Sequence, residues 1–79
     1  KNILSNMKYT KRIQNRVSRI EGQVGGVKRM ILSDTDEEKV MTQLQAVISS
    51  LESLKMELMK KEMKESLVED IKKSLGISE

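Results

Sequence analysis

Residues 13–31 read IQNRVSRIEGQVGGVKRMI, and the spacing of the branched apolar residues in this stretch decides the fold. Ile13, Val17, Ile20, Val24, Val27 and Ile31 follow one another at steps of four, three, four, three and four. With about 3.6 residues per helical turn, such a seven-residue repeat lays all six along one side of a helix. The repeat predicts a helix over about 8–32, roughly 37 Å long. Gly22, Gly25 and Gly26 fall inside it, and each costs a helix about 1 kcal/mol relative to Ala. They mark either a bend or a close helix contact. The repeat keeps its phase on both sides of them, which favours contact.

Downstream, Ser33-Asp34-Thr35-Asp36 breaks the pattern, and Thr35 with Glu38 makes a capping box for a new helix. Asp36, Glu37 and Glu38 suit the positive end of that helix. Val40, Leu44, Val47, Leu51, Leu54 and Leu58 then repeat the first phase, predicting a helix over about 36–64. Met41, Ile48, Met56, Met59 and Met63 widen its apolar side, so it faces more than one neighbour. Ser66 and Glu69 form a second capping box. The box predicts a short third helix over about 67–75, with Leu67, Ile71 and Leu75 inward and Gly76 ending it. One unbroken helix over 36–75 is the alternative.

The expected architecture is therefore all-α, a single domain over 1–79: a long antiparallel hairpin plus a short third helix. A lone hairpin leaves the outer part of each apolar face wet. Pairing with a second copy into a four-helix bundle covers it, so a homodimer is expected rather than a monomer.

Composition removes several function classes. The 79 residues include no Cys, His or Pro, and Tyr9 is the one aromatic. Disulfides, thiolate nucleophiles, imidazole bases and the usual zinc sites are excluded. Catalysis would fall to Lys, Tyr9 or carboxylates, and no motif pairs them, so an enzyme is not expected. No apolar run approaches a membrane span and no leader is recognised; the cytoplasm is the expected compartment.

Charge is divided along the chain. Residues 1–32 hold eight Lys and Arg against one acid, Glu21, whereas residues 33–79 hold seven Lys against eleven acids. Lys8, Arg12, Arg16 and Arg19 are spaced four, four and three apart, a line beside the apolar seam, with Lys11 flanking it. Such a row can meet successive phosphates of a duplex, each contact releasing counterions. The plainer reading is a solvated helix side, but the concentration of positive charge in one segment favours a polyanion. No helix-turn-helix, zinc finger or aromatic stacking platform is recognisable, so helix faces of an oligomer would do the binding.

Arg19-Ile20-Glu21-Gly22-Gln23-Val24-Gly25-Gly26-Val27-Lys28-Arg29-Met30 resembles the hallmark of the copper-sensing repressor family, R-I-E-G-Q-V-x-G-I-x-R-M. That family also includes nickel/cobalt, formaldehyde and persulfide sensors. Val40-Met41-Thr42-Gln43-Leu44-Gln45-Ala46-Val47 is similar to its second motif, I/V-L-T-Q-I-S-A-V, at the expected distance. The resemblance implies a dimer of dimers, a homotetramer of antiparallel bundles, repressing transcription by binding double-stranded operator DNA. On that reading Lys8, Lys11, Arg12, Arg16 and Arg19 are the DNA-facing residues, Arg16 and Arg19 being family-typical. Ser53 stands where members often carry a DNA-contacting arginine. Lys55, about 200° further round the helix, projects differently.

The resemblance also locates the sensing positions. The family's Cys, six residues before the glutamine of T-Q, corresponds to Glu37, and its His and Cys, four residues apart, to Glu62 and Ser66. Carboxylate and hydroxyl suit soft Cu(I) poorly, and formaldehyde or persulfide sensing needs a thiol. No metal cofactor is expected at these positions. Three readings stay open: surface and capping residues at a site without an inducer; a carboxylate pocket of Glu37, Glu62 and Glu65 across subunits, taking a hard cation or an amine; and copper held by the thioethers of Met56, Met59 and Met63. The competing class for the whole chain is a structural or protein-interaction bundle without DNA binding.

Overall fold

The computed structural model describes residues 8–76. It contains two helices, α1 (Lys11–Leu32) and α2 (Glu37–Ser74), packed side by side, with no strand among the described residues. Gln43 meets Gln23, while Glu57 meets Arg12 and Arg16. Rising numbers on one helix thus meet falling numbers on the other, and the hairpin is antiparallel, as the two matched apolar phases predict.

Thr10 starts α1. Its backbone is extended and its hydroxyl accepts from the Ile13 N–H at 3.2 Å, satisfying one donor of the first turn. The cap places the helix start three residues after the expected position 8, so Lys8 lies before the helix.

At the other end the Thr35 N–H donates to Met30 O at 2.9 Å and the Asp34 N–H to Ile31 O at 3.2 Å. These two bonds are a Schellman closure. They require a left-handed residue, which Asp34 supplies at φ 56°. Thr35 is thereby committed to finishing α1, and the expected Thr35–Glu38 capping box does not form. Asp36 precedes α2 as its N-cap, through its backbone alone. Glu37 and Glu38 occupy the first turn, where the exposed amides favour negative charge.

The expected third helix over 67–75 is not separate, because α2 runs without interruption to Ser74. Between 37 and 74 there is neither Gly nor Pro to stop it. Lys61 bonds Glu65 one turn on, just before the expected junction, which supports continuation. Ser66 is interior to the helix and caps nothing. Gly76, at φ 74°, stands just past the end and Lys72 and Lys73 fill the last turn.

The core is one narrow row. Ile13, Ile20 and Val27 are buried against α2, and Val47 is buried against α1. The other half of the α1 seam, Val17, Val24 and Ile31, is 44–60 % exposed. Four residues of helix advance about 400°, so the second row sits about 40° round from the first and looks past α2. Leu44, Ile48 and Leu51 of α2 are exposed as well.

At Gly26 the close-contact reading holds. A Cβ there would lie 3.3 Å from Gln43 Nε2, while Gly22 faces open space and Gly25 is near only Arg29 of its own helix. The helix runs unbroken through all three.

Since Ser66 is mid-helix, Ser66→Ala should stabilise the fold by about 0.3–0.5 kcal/mol through helix propensity. Loss of an N-cap would instead cost about 1 kcal/mol. Urea unfolding followed by far-UV circular dichroism separates the two signs.

Candidate nucleic-acid interface

The antiparallel register gives the hairpin two unlike sides. Turning one way from the buried row, α1 presents Val17, Val24 and Ile31; turning the other way, it presents Arg12, Arg16, Arg19 and Gln23. On the second side α2 contributes Gln43, Ser50, Ser53 and Glu57, which line two grooves with those α1 residues.

The five basic residues expected to face DNA, a line of four with Lys11 flanking it, have unlike surroundings. Arg12 Nε lies 3.5 Å and Arg16 Nε 3.2 Å from the two oxygens of Glu57. Arg12 is largely open to solvent, at 76 % of its side chain, whereas Arg16 is at 27 % and Glu57 at 22 %. Arg16 is thus partly withdrawn, in an ion pair rather than an aligned hydrogen bond. Lys8 Nζ lies 5.6 Å from the centre of the Tyr9 ring, and Lys61 Nζ lies 5.4 Å from the same ring. Lys11 is exposed and, among the described residues, without an ion pair. Arg19 is exposed and unpaired with any described acid, and opens into the groove that Gln23, Gly26, Arg29, Gln43 and Ser50 line.

Three participants escaped the sequence reading. Glu57 comes from the opposite helix, and no local spacing links it to Arg12 and Arg16. Lys60 shares the groove with those arginines and Ser53. Arg29 enters the Arg19 groove, although its spacing from Arg19 puts it about 80° out of line. The register is the signal for all three, and it is available only once the hairpin is aligned. Lys55 lines a separate groove with Tyr9, Leu51 and Leu54, so it does not replace a cation at Ser53.

Both motifs converge here. The Gln43 amide donates to the Gln23 carbonyl at 3.3 Å, tying the second motif to the first across the helix pair.

The sensing positions behave differently. Glu37 begins α2, while Glu62 and Ser66 lie 25 and 29 residues further along it, about 37 Å and 43 Å away. One protomer cannot bring them together. All three are exposed, and Glu37 makes no ion pair among the described residues. Glu65 is hydrogen-bonded to Lys61, which holds its carboxyl below the usual carboxylate range. Among the described residues no three of Asp, Glu, His or Cys gather as a metal would need. Their donors are hard oxygens, so the residues at these positions do not fit a soft metal ion. Met56, Met59 and Met63 are 46–67 % exposed and fill no core within the hairpin.

No described helix is long and apolar enough to cross a membrane. Comparison with curated proteins and with solved structures found no match. The family described as metal-sensitive transcriptional repressor matches residues 9–79, spanning both helices and both motifs. The chain belongs to the metal-sensitive transcriptional repressor family.

Proposed function

We propose that this chain is a DNA-binding transcriptional repressor whose input is not the soft-metal chemistry of a thiol and imidazole site. The observation that carries the DNA half is the polar side of the hairpin. Arg12, Arg16, Arg19 and Arg29 line grooves there, with Glu57 the single acid lining them. In this reading the apolar side pairs with a second copy, and dimers pair again into a tetramer. The polar sides then remain outward for duplex DNA, in the cytoplasm. Arg12, Arg16 and Arg19 contact the backbone from α1, with Lys8 and Lys11 adding charge at its start. Phosphate contacts position the protein, and much of the selectivity comes from the shape of the duplex.

Glu57, within ion-pair distance of Arg12 and Arg16, offsets part of that charge, and this observation favours the runner-up, a helical bundle that binds protein partners or none. Arg19 argues against it. Its guanidinium is exposed and makes no ion pair among the described residues, which leaves it open to an anionic partner.

For the input, Glu37, Glu62 and Ser66 supply oxygen donors only, which is the support for an effector other than Cu(I). Should Glu37 meet Glu62 and Glu65 of a second copy, the donors would suit Mg²⁺, Ca²⁺, Mn²⁺ or an amine.

Two measurements test the proposal. Affinity for labelled duplex DNA should fall steeply with salt, log K declining by about 0.9 per phosphate contact for each log unit. Arg16→Ala with Arg19→Ala should flatten that slope while helix content stays unchanged. Retained affinity would mean that the wrong face has been assigned, and no duplex binding even at low salt would end the repressor reading. Separately, Cu(I) offered with a competing chelator should stay with the chelator; stoichiometric retention by the protein would overturn the loss of soft-metal input.

A further inference from the structure

The groove between the two motifs has a volume of about 590 Å³, and no carboxylate lines it. Arg16, Arg19 and Arg29 do, and Gly22 and Gly26 lie between them along α1. Arg16 is engaged with Glu57, whereas Arg19 and Arg29 have no acidic partner among the described residues. Two guanidiniums without an acidic partner thus line one groove free of carboxylates, and an oxyanion is the ligand whose geometry and charge match them.

Gly26 brings the donors together. The point its Cβ would occupy is 3.3 Å from Gln43 Nε2 and 3.8 Å from Arg29 Nη2. An amide from α2 and a guanidinium from α1 thus flank one small space, kept free by the missing side chain. Charge-assisted bonds of about 2.8 Å to different oxygens of one phosphate can bridge two such donors. The Gln43 NH2 group spends one N–H on the Gln23 carbonyl and keeps a second. Beside it, the Gln23 side-chain oxygen is shielded from solvent without a hydrogen-bond partner among the described residues. A half-turn of that amide would offer its NH2 group instead, which an anion would satisfy.

We propose that this groove is a phosphate seat spanning both helices. Arg19 and Arg29 carry the charge, Gln43 supplies a neutral donor, and Gly26 gives the oxyanion room. The duplex backbone is the occupant, a step that rests on the DNA-binding reading above, and Arg29 becomes a phosphate-contacting residue beyond the α1 stripe. The groove lies on the side of the hairpin away from Val17, Val24 and Ile31, so pairing through those residues leaves it open. Its plainer role, a cation near the C-terminal end of α1, would stabilise the helix but would not alter salt dependence.

The test compares the full chain with R29Q, R29K and R19Q for binding to a labelled duplex across a salt series. R29Q should weaken binding about tenfold at about 0.1 M salt and flatten the log–log slope by about one per seated subunit. R29K, which keeps the charge, should restore most of the slope, and melting temperatures should stay together. Wild-type affinity and slope in R29Q, alongside losses in R19Q, would overturn the seat and leave the DNA reading standing. If the wild-type chain binds no duplex, that reading fails and inorganic phosphate decides the seat by NMR. Saturable shifts of the Gly26 N–H and the Gln43 side-chain NH2, lost in R29Q, would support a seat for free phosphate. Absence of those shifts would overturn it.

Discussion

The offset of about 40° between two apolar rows on one helix governs the rest of this molecule. Ile13, Ile20 and Val27 point at α2 and are buried, while Val17, Val24 and Ile31 sit a step round and are not. The hairpin has its geometry from the first row, and the second row stays uncovered within it. Among the described residues, four buried side chains make a small core for helices of 22 and 38 residues. On the proposed reading this continuous apolar side is the association surface, and a second copy presents the same side.

The same register sorts chemistry to the opposite side. Glu57 reaches Arg12 and Arg16, and Gln43 reaches Gln23, because antiparallel packing places those residues at matching heights. An ion pair as exposed as Arg12–Glu57 contributes little to stability, about 0–1 kcal/mol, so its main effect is to set local charge. The proposed repressor thus separates its tasks by side, with pairing on the apolar side and DNA on the polar one. Its sensing positions are split between the turn end and the far third of α2. Any ligand joining Glu37 to Glu62 would have to be held by more than one protomer.

The hairpin was legible in the sequence because apolar phase is a property of one helix at a time. Val40 to Leu58 announce α2 as plainly as Ile13 to Ile31 announce α1. Termination was harder to read. Thr35 carries the signature of a cap, yet its N–H is claimed by the closure of α1. Ser66 carries the same signature, but a helix without Gly or Pro has no reason to stop there. A capping residue permits a helix start and does not compel one. The site was legible only in half. Arg12, Arg16 and Arg19 follow from spacing on α1, whereas Glu57, Lys60 and Arg29 depend on the alignment of two helices. Glu37, Glu62 and Ser66 were located by family resemblance, and their exposure in the hairpin leaves their task unassigned.

The claim that the hairpin is half of a paired bundle is tested most directly by thermal unfolding of the full chain over a wide concentration range, with sedimentation equilibrium on the same samples. If folding and pairing are coupled, the melting temperature rises with protein concentration and the folded species sediments as a dimer or tetramer. A concentration-independent melting temperature together with a folded monomer would contradict the account. It would show that Ile13, Ile20, Val27 and Val47 hold the hairpin alone.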